Sequence, residues 1–232
     1  MIDFHSHVLP GMDDGSHDAR ESERMLSMLK EQGVKTVVAT PHYSASHESP
    51  EDFLVRRKKA LEKLEDFLSD EKIRVLSGAE VSYYPGISKL EDLEKLTVEG
   101  TSLLLLEMPF TRWTEYTVNE LVEIAGFSDV QLVLAHIERY LPLQSKAVWQ
   151  RLYDSGILMQ VNAGFFIHPF TRNRGIRYLK EGKIHFLGSD CHNISSRPPN
   201  LHKAYRFIAK KLGEEFLMQM NRYGKSLLFE NN

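Results

Sequence analysis

Short apolar runs rich in β-branched residues alternate along the chain with longer stretches that have one apolar face. The runs are bounded by Gly, Pro, Asp or Asn and have the length of buried strands. They predict seven strands, at Ile2–His5, Thr36–Thr40, Ile73–Leu76, Ser102–Glu107, Gln131–His136, Leu158–Asn162 and Ile184–Asp190.

The stretches between these runs carry helix signals. Ser49 is a candidate N-cap, Pro50 fits the first turn, and Asp52 completes a capping-box pattern before an apolar stripe that extends to Leu68. A second helix is expected from about Asp18 to Gln32, where Gly33 suits the left-handed position after a helix end. Further helices are expected near Glu115–Ala125, Ser145–Asp154, Thr171–Glu181 and Leu201–Leu212.

A strand followed by a helix, repeated seven times, predicts parallel strands joined by right-handed crossovers. Such units close into an α/β, TIM-like barrel, and an open doubly wound sheet is the competing layout. We expect one domain that takes up residues 1–232. In a barrel, reactive side chains lie at the carboxyl ends of the strands.

Composition excludes several classes of protein. The 29 basic and 32 acidic residues give a net charge of −3, which argues against nucleic acid as a partner. Apolar runs stay shorter than the ~18 residues of a membrane span, so no membrane insertion is expected. The start, MIDFHSHVLP, has no signal-peptide pattern, and a single cysteine fits a reducing cytoplasm.

Metal-binding residue types recur at the predicted strand ends. A carboxylate or imidazole that ends an apolar strand must be hydrogen-bonded, paired or coordinated. Glu107, which follows four leucines, is the sharpest example. The joint pattern predicts a divalent transition-metal site at the mouth of the barrel, formed by His5, His7, His42, Glu80, Glu107, His136, Asp190 and His192.

Two further features add candidate carboxylates near the first strand. Alternation places Asp3 on the face of His5 and His7, where it could orient a ligating imidazole or be a buried aspartate with ordinary hydrogen bonds. The run Asp13-Asp14-Gly15 follows, and it also reads as an ordinary turn. We expect one of these two aspartates to be a ligand and favour Asp14.

Several motifs together resemble the PHP (polymerase and histidinol phosphatase) superfamily. They are MIDFHSHVLPGMDDGS, ATPH, GAE, LLLLEMPF, AHIERY, GSDCHN and the late RPP. Within that superfamily, the chain most resembles the manganese-dependent protein tyrosine phosphatases that accompany bacterial capsule and exopolysaccharide tyrosine kinases. The resemblance implies a distorted (β/α)₇ barrel with three metal ions. It favours Mn²⁺, while the donor types also suit Fe, Zn or Co.

The resemblance also implies a role for each site residue. His5, His7, Glu80 and Asp190 would hold one ion. Glu80 would bridge to a second ion, held also by Glu107 and His136, and a third would lie among Asp14, His42 and His192. Phosphate would be bound by Arg139 and Arg197, which complete the catalytic set together with His136 and Asp14.

The expected reaction is hydrolysis of a phosphomonoester by a metal-bound hydroxide, with phosphotyrosine in a protein as the substrate. The expected partner is a bacterial tyrosine kinase that regulates capsule or exopolysaccharide synthesis. A phenol, with a pKa of about 10, leaves with less general-acid help than an alkyl alcohol. The alternatives are a PHP phosphatase for histidinol phosphate or another small metabolite, a metal-dependent nuclease, and a non-catalytic module that docks onto a kinase.

Cys191 and Arg197 match the C-x₅-R spacing of cysteine-dependent tyrosine phosphatases. The intervening residues contain no glycine that would let backbone N–H groups wrap a phosphate. Cys191 also lies between two proposed ligands, Asp190 and His192. We therefore expect it to have no nucleophilic role.

Overall fold

The computed structural model describes residues 1–229, which form nine strands and nine α-helices. The strands are β1 (Ile2–Ser6), β2 (Thr36–Ala39), β3 (His42–Tyr43), β4 (Arg74–Ser77), β5 (Glu80–Ser82), β6 (Leu103–Glu107), β7 (Gln131–Leu134), β8 (Leu158–Asn162) and β9 (Phe186–Gly188). The helices are α1 (Ala19–Glu31), α2 (Pro50–Glu62), α3 (Glu65–Glu71), α4 (Glu115–Ala125), α5 (Lys146–Asp154), α6 (Gly164–Ile167), α7 (Arg172–Lys180), α8 (Leu201–Leu212) and α9 (Glu214–Phe229).

Two of the predicted strands, which correspond to β2 and β4, are each followed by a second short strand that was not predicted. Pro41, which has no N–H to donate, separates β2 from β3. Hydrogen bonds continue across the break, because Gly78 donates to the Ala39 carbonyl at 2.7 Å and Glu80 donates to the Pro41 carbonyl at 3.0 Å. β2 and β3 therefore act as one continuous strand, and β4 and β5 act as another. Counted in this way, the parallel sheet is seven strands wide.

The parallel sheet curls until its two ends meet. A parallel bridge joins Ser6 to Cys191, with the His7 N–H donating to the Cys191 carbonyl at 2.9 Å. Asp190 donates its N–H to the His5 carbonyl at 2.8 Å. This closure confirms the (β/α)₇ barrel and excludes the open doubly wound layout.

The helical predictions are confirmed, with three differences. The helix that begins at Ser49 is divided near Leu64 into α2 and α3. The short helix α6 and the C-terminal helix α9 were not predicted. Within residues 1–229, no helix has both the length and the apolar content needed to cross a membrane.

Successive side chains of β6 point to opposite faces of the sheet, and this alternation places Glu107 at the candidate site. Leu104 and Leu106 belong to the larger apolar cluster, which includes the inner faces of the surrounding helices. Leu103 and Leu105 belong to a smaller cluster, on which Leu228 of α9 packs. Glu107 continues the face of Leu103 and Leu105, so the strand delivers its carboxylate into the space enclosed by the sheet.

Candidate metal centre

All nine predicted ligands converge at the carboxyl ends of the strands. Their nitrogen and oxygen atoms form overlapping groups in which the ligand atoms lie within 4.8 Å of one another. These groups are His5, His7 and Asp190; His42, Glu80 and Glu107; and His7, Asp14, His42 and His192. His136 joins them through contacts with two of the carboxylates.

The most buried group surrounds Nε2 of His5. This atom lies 3.1 Å from Nε2 of His7 and 3.1 Å from Oε2 of Glu80. Oδ1 of Asp190 lies 3.6 Å from the His5 atom and 3.4 Å from the His7 atom. Two imidazoles and two carboxylates therefore point at one small volume, in the combination that the resemblance implied for a first ion.

Glu80 connects this group to the next one. Its other oxygen, Oε1, lies 2.8 Å from Nε2 of His136, and that nitrogen lies 3.3 Å from Oε1 of Glu107. His42 Nδ1 approaches Oε2 of Glu80 at 3.1 Å. Glu80 thus faces two neighbouring groups with its two oxygens, as a bridging carboxylate would.

The third group is more open to solvent. Asp14 Oδ1 lies 3.5 Å from Nε2 of His42 and 3.4 Å from Nε2 of His192. The Asp14 side chain is 67% exposed, whereas that of His192 is 2% exposed. The buried Nε2 of His192 has no hydrogen-bond partner among residues 1–229, which fits a nitrogen reserved for a cation.

The structure separates the two adjacent aspartates. Asp13 accepts hydrogen bonds from Nδ1 of His7 at 2.7 Å and from the backbone N–H of His42 at 2.9 Å. Its other oxygen accepts the Gly15 N–H at 2.9 Å. Asp13 therefore orients His7, and Asp14 is the aspartate that faces the open histidine group.

Two orienting residues were missed by sequence reasoning. Gln160 Oε1 lies 3.2 Å from Nδ1 of His5 and accepts the backbone N–H of His136 at 2.7 Å. The Tyr140 hydroxyl lies 3.2 Å from Nδ1 of His136. Gln160 was detectable as a fully buried amide inside an apolar strand, a position that requires hydrogen-bond partners.

The proposed orienting role of Asp3 is corrected. Asp3 Oδ1 accepts the backbone N–H groups of Ser189 at 2.7 Å and of His5 at 3.3 Å, and it does not reach the His5 ring. Burial raises the pKa of Asp3 to about 6 despite these bonds. Its contacts help to join β1 to the segment after β9, so the role is structural.

In the cluster, ionised carboxylates and protonated histidines stabilise each other. Burial opposes a proton on His7, but hydrogen bonds to Asp13, Asp190 and Glu80 raise the pKa of His7 well above its usual value. Burial likewise opposes ionisation of Glu80, but neighbouring histidines hold its pKa well below the usual value. The site therefore favours cations at its centre.

Both predicted arginines lie at the edge of this cluster. Nη2 of Arg139 donates to Oδ2 of Asp190 at 2.7 Å, and Nη2 of Arg197 forms an ion pair with the same oxygen at 2.9 Å. Asn162 donates to the same oxygen at 2.7 Å. The side chains of Arg139 and Arg197 are 29% and 41% exposed and line a cavity of about 370 Å³, together with His136 and Glu107.

The donor set fits a divalent transition metal. It combines imidazole nitrogens with carboxylate oxygens and contains no thiolate, a mixture that suits Mn, Fe, Zn or Co. Cys191 is 1% exposed, and burial raises the pKa of its thiol. A buried thiol that is neutral at physiological pH is a poor nucleophile, which agrees with the expectation that Cys191 has no nucleophilic role despite its C-x₅-R spacing.

Comparison with known proteins agrees with this geometry. The family model described as "Capsular polysaccharide synthesis, CpsB/CapC" matches residues 1–229. Tyrosine-protein phosphatase CpsB of Streptococcus pneumoniae is 32% identical over 229 residues, covering 92% of this chain and 91% of that protein. Tyrosine-protein phosphatase YwqE of Bacillus subtilis (strain 168) is 31% identical over 242 residues, covering 98% and 91%.

Solved structures show the same fold. One is described as YwqE from Bacillus subtilis and CpsB from Streptococcus pneumoniae, "unique metal-dependent tyrosine phosphatases". It has a TM-score of 0.84 and 26% identity, and the match covers 98% of this chain and 94% of that one. Histidinol phosphate phosphatase from Lactococcus lactis has a TM-score of 0.59 at 14% identity, covering 90% and 92%, which is a likeness of fold alone.

Proposed function

The chain belongs to the CpsB/CapC capsular polysaccharide synthesis family, and from this membership we propose that it is a metal-dependent protein tyrosine phosphatase. Relatives of this family are named tyrosine-protein phosphatases, and matching solved structures are described as metal-dependent. The substrate in this proposal is phosphotyrosine on a protein. The partner is a bacterial tyrosine kinase that regulates capsule or exopolysaccharide synthesis.

One observation supports the proposal above all others. Nine imidazole and carboxylate side chains from separate strand ends meet beside two arginines that share Asp190. Within the cluster, Nε2 of His192 is buried without a hydrogen-bond partner among the described residues and lies 3.4 Å from Oδ1 of Asp14. The arrangement joins a cation site to an anion site within one cavity.

We propose that His5, His7, Asp14, His42, Glu80, Glu107, His136, Asp190 and His192 hold three divalent ions, with Mn²⁺ favoured and Fe, Zn or Co as alternatives. Ions bound there would supply Lewis acidity to a phosphoryl group and to a water molecule. The protein keeps Nε2 of His5 and His7 directed at the centre, because Gln160 and Asp13 engage the opposite ring nitrogens.

The arginines are assigned to phosphate binding. Each uses one nitrogen to contact Asp190, Nη1 of Arg139 also lies 3.7 Å from Oε1 of Glu107, and both side chains line the cavity. A guanidinium held in this way binds phosphoryl oxygens with little loss of side-chain freedom. Asp14 and His136 complete the proposed catalytic set, since Asp14 lies on the solvent side and His136 lines the cavity.

The open cavity suits a phosphorylated side chain that projects from a protein surface. A phenol leaves readily, so hydrolysis of phosphotyrosine needs less help from a general acid than hydrolysis of an alkyl phosphate. A cytoplasmic location is part of the proposal, and the buried free thiol of Cys191 is consistent with a reducing compartment.

The test compares two substrates on protein purified without chelator. With Mn²⁺ present, we expect a higher kcat/KM for a phosphotyrosyl peptide than for histidinol phosphate. Activity should be lost on chelation and restored by Mn²⁺. Preference for histidinol phosphate would replace the proposed substrate, and failure to hydrolyse any aryl phosphate with metal bound would reject the enzyme assignment.

A further inference from the structure

A second cavity, of about 720 Å³, lies at the amino ends of the strands. We call it the basal cavity, and its lining includes Lys35, Lys72, Arg74, Arg222, Lys225 and Phe229. Lys35 precedes β2, whereas His42 of the candidate metal centre comes seven residues later at the other end of this strand line. At ~3.3 Å per residue the two sites are roughly 20 Å apart.

The five cationic side chains come from three separate parts of the chain. Lys72 and Arg74 flank the start of β4, beside Lys35 at the start of β2. Arg222 and Lys225 are three residues apart on α9, so they share one face of that helix. The fold itself therefore gathers these charges, because the sequence contains no continuous basic run there.

The five cations have no ionic partner in the part of the chain that the structure describes. Within residues 1–229, none of the five side chains forms an ion pair or a hydrogen bond, although other surface lysines pair with glutamates, as Lys95 and Lys183 do. Like charges gathered without counter-charges repel each other. The chain has a net charge of −3, yet these five cations create a local positive potential that attracts anions.

The backbone conformation of Lys72 is a second observation at the basal cavity. Lys72 follows α3 with φ of 54°, in the left-handed region that glycine adopts with least strain. A lysine at such a position costs about 1 kcal/mol relative to glycine. The strained backbone places a long cationic side chain at the edge of the basal cavity.

The cavity also has an apolar wall. Ile2, Met218 and Phe229 contribute to its lining, and the guanidinium of Arg74 lies 4.8 Å from the centre of the Phe229 ring. Small-molecule sites are typically concave, with an apolar wall and a few charged or polar groups. The basal cavity has these features, so it suits a small ligand better than the flat surface of a large partner. Five cations exceed what one carboxylate or one phosphate could engage.

We propose that the basal cavity binds a small polyanion with adjoining phosphate groups, at a site separate from the candidate metal centre. The phosphates would lie among Lys35, Lys72, Arg74, Arg222 and Lys225, and any organic part would contact Phe229. Two sources share this chemistry: an inorganic oligophosphate and a nucleoside polyphosphate. This binding does not depend on the proposed phosphatase activity.

Equilibrium dialysis of the full chain tests the site, on protein loaded with Mn²⁺ and then freed of unbound metal, because free Mn²⁺ would complex the phosphate probes. The probes are tripolyphosphate and a non-hydrolysable ATP analogue. R222A/K225A should weaken binding by about tenfold or more, since two charge-assisted contacts are lost. K203A/R206A is the matched control, because it removes the same charge at the same spacing on exposed positions of α8, and it should change affinity by less than about twofold.

R139A/R197A separates the basal cavity from the metal centre, and it should retain polyanion binding. Tighter binding of the ATP analogue would favour the nucleoside polyphosphate and a contact between its organic part and the apolar wall, while tighter binding of tripolyphosphate would favour the inorganic oligophosphate. The proposal is wrong if neither probe binds, if R139A/R197A rather than R222A/K225A abolishes binding, or if the α8 control loses as much as the α9 variant. Thermal unfolding of each variant verifies that it is folded.

Discussion

Asp13 and His7 form a 2.7 Å hydrogen bond in which Nδ1 of the imidazole donates to Oδ2 of the carboxylate. This bond fixes the proton on Nδ1 and leaves Nε2 facing the cluster of candidate ligands. The same Asp13 oxygen accepts the backbone N–H of His42, so one carboxylate positions residues from two strand ends. Asp14, its neighbour in sequence, is mostly exposed and faces His42 and His192.

The two aspartates should therefore have different effects on metal binding. Asp14→Asn should remove about one ion per chain with little effect on stability, because the side chain is exposed. Asp13→Asn should leave the number of sites unchanged and weaken metal affinity by about 10–100-fold. Metal counts as a function of free Mn²⁺ measure both effects.

Asp129→Asn is the control for these variants, since Asp129 is exposed and lies outside the cluster. Its metal count should match that of the wild type. An Asp13→Asn protein that lost a whole ion while Asp14→Asn lost none would reverse the two assignments.

Arg139 and Arg197 should affect catalysis without affecting metal content. Replacing either with alanine removes charge-assisted hydrogen bonds to a phosphoryl group and should lower kcat/KM by about 10–100-fold. Asp190 keeps the other arginine and Asn162 as partners, so the ion count should remain unchanged. Arg112→Ala removes an exposed arginine from a loop at the same end of the barrel and should be nearly neutral.

A phosphate-binding role is contradicted if Arg139→Ala and Arg197→Ala both retain wild-type kcat/KM. Lysine at either position is a sharper probe. It keeps the charge but loses the planar fork, so it should recover only part of the loss.

Cys191 should be dispensable for activity. Its thiol is buried, and burial raises its pKa, so the thiolate is scarce at physiological pH. We expect Cys191→Ala to keep kcat within about threefold of wild type, at a cost of about 1 kcal/mol in stability. Chelation should abolish activity in both proteins; a variant that is inactive yet folded and metal-loaded would restore the cysteine mechanism.

Sequence reasoning predicted that the candidate ligands would converge because parallel strands end at a common edge. Glu107 shows the principle: alternation after Leu103 and Leu105 directs its carboxylate inward, and this requires no knowledge of long-range packing. The role of Asp13 was beyond that reasoning, since Asp13 and Asp14 are the same residue type in one turn. The single-domain assignment for residues 1–232 stays a prediction.

Features that depend on docking between distant segments could not be read from the sequence. Gln160 reaches His5 across 155 residues, and only the curvature of the sheet brings them together. The helix α9 adds a second example, because Arg222 and Lys225 look like solvated helix residues until α9 packs beside the starts of β2 and β4. Local periodicity contains no information about either contact.

Gly188 should be essential for the geometry of the metal centre. A Cβ at this position would lie 2.5 Å from Cβ of His5 and 2.6 Å from Nε2 of Gln160. Gly188→Ala must therefore displace the orienting amide or β1, which should cost about 1–3 kcal/mol in stability and reduce metal affinity. Gly164→Ala is the control, since a Cβ there meets no atom of the described residues within 4 Å. Equal stability and metal content in the two variants would show that the close approach can relax.

His185 should make the fold sensitive to acid through a site remote from the metals. Its Nδ1 accepts the backbone N–H of Met159 at 3.0 Å, and burial lowers the pKa of His185 to about 4. In the unfolded chain a histidine has a pKa of about 6.5. Between these values the unfolded state binds more protons, so the stability due to neutral His185 is complete above pH ~6.5 and is lost as the pH falls toward 4.

From pH 7 to pH 5, this linkage should cost the wild type about 1–2 kcal/mol of unfolding free energy more than it costs His185→Gln, which cannot titrate. Urea denaturation of both proteins at the two pH values measures the difference, and protonation of the metal-cluster histidines cancels because it is common to both. His17→Gln, at an exposed histidine, should lose as much stability as the wild type. If the unfolding free energy of His185→Gln falls as much as that of the wild type, the bond to Met159 does not hold His185 neutral. The acid sensitivity of the fold must then come from the histidines of the candidate metal centre.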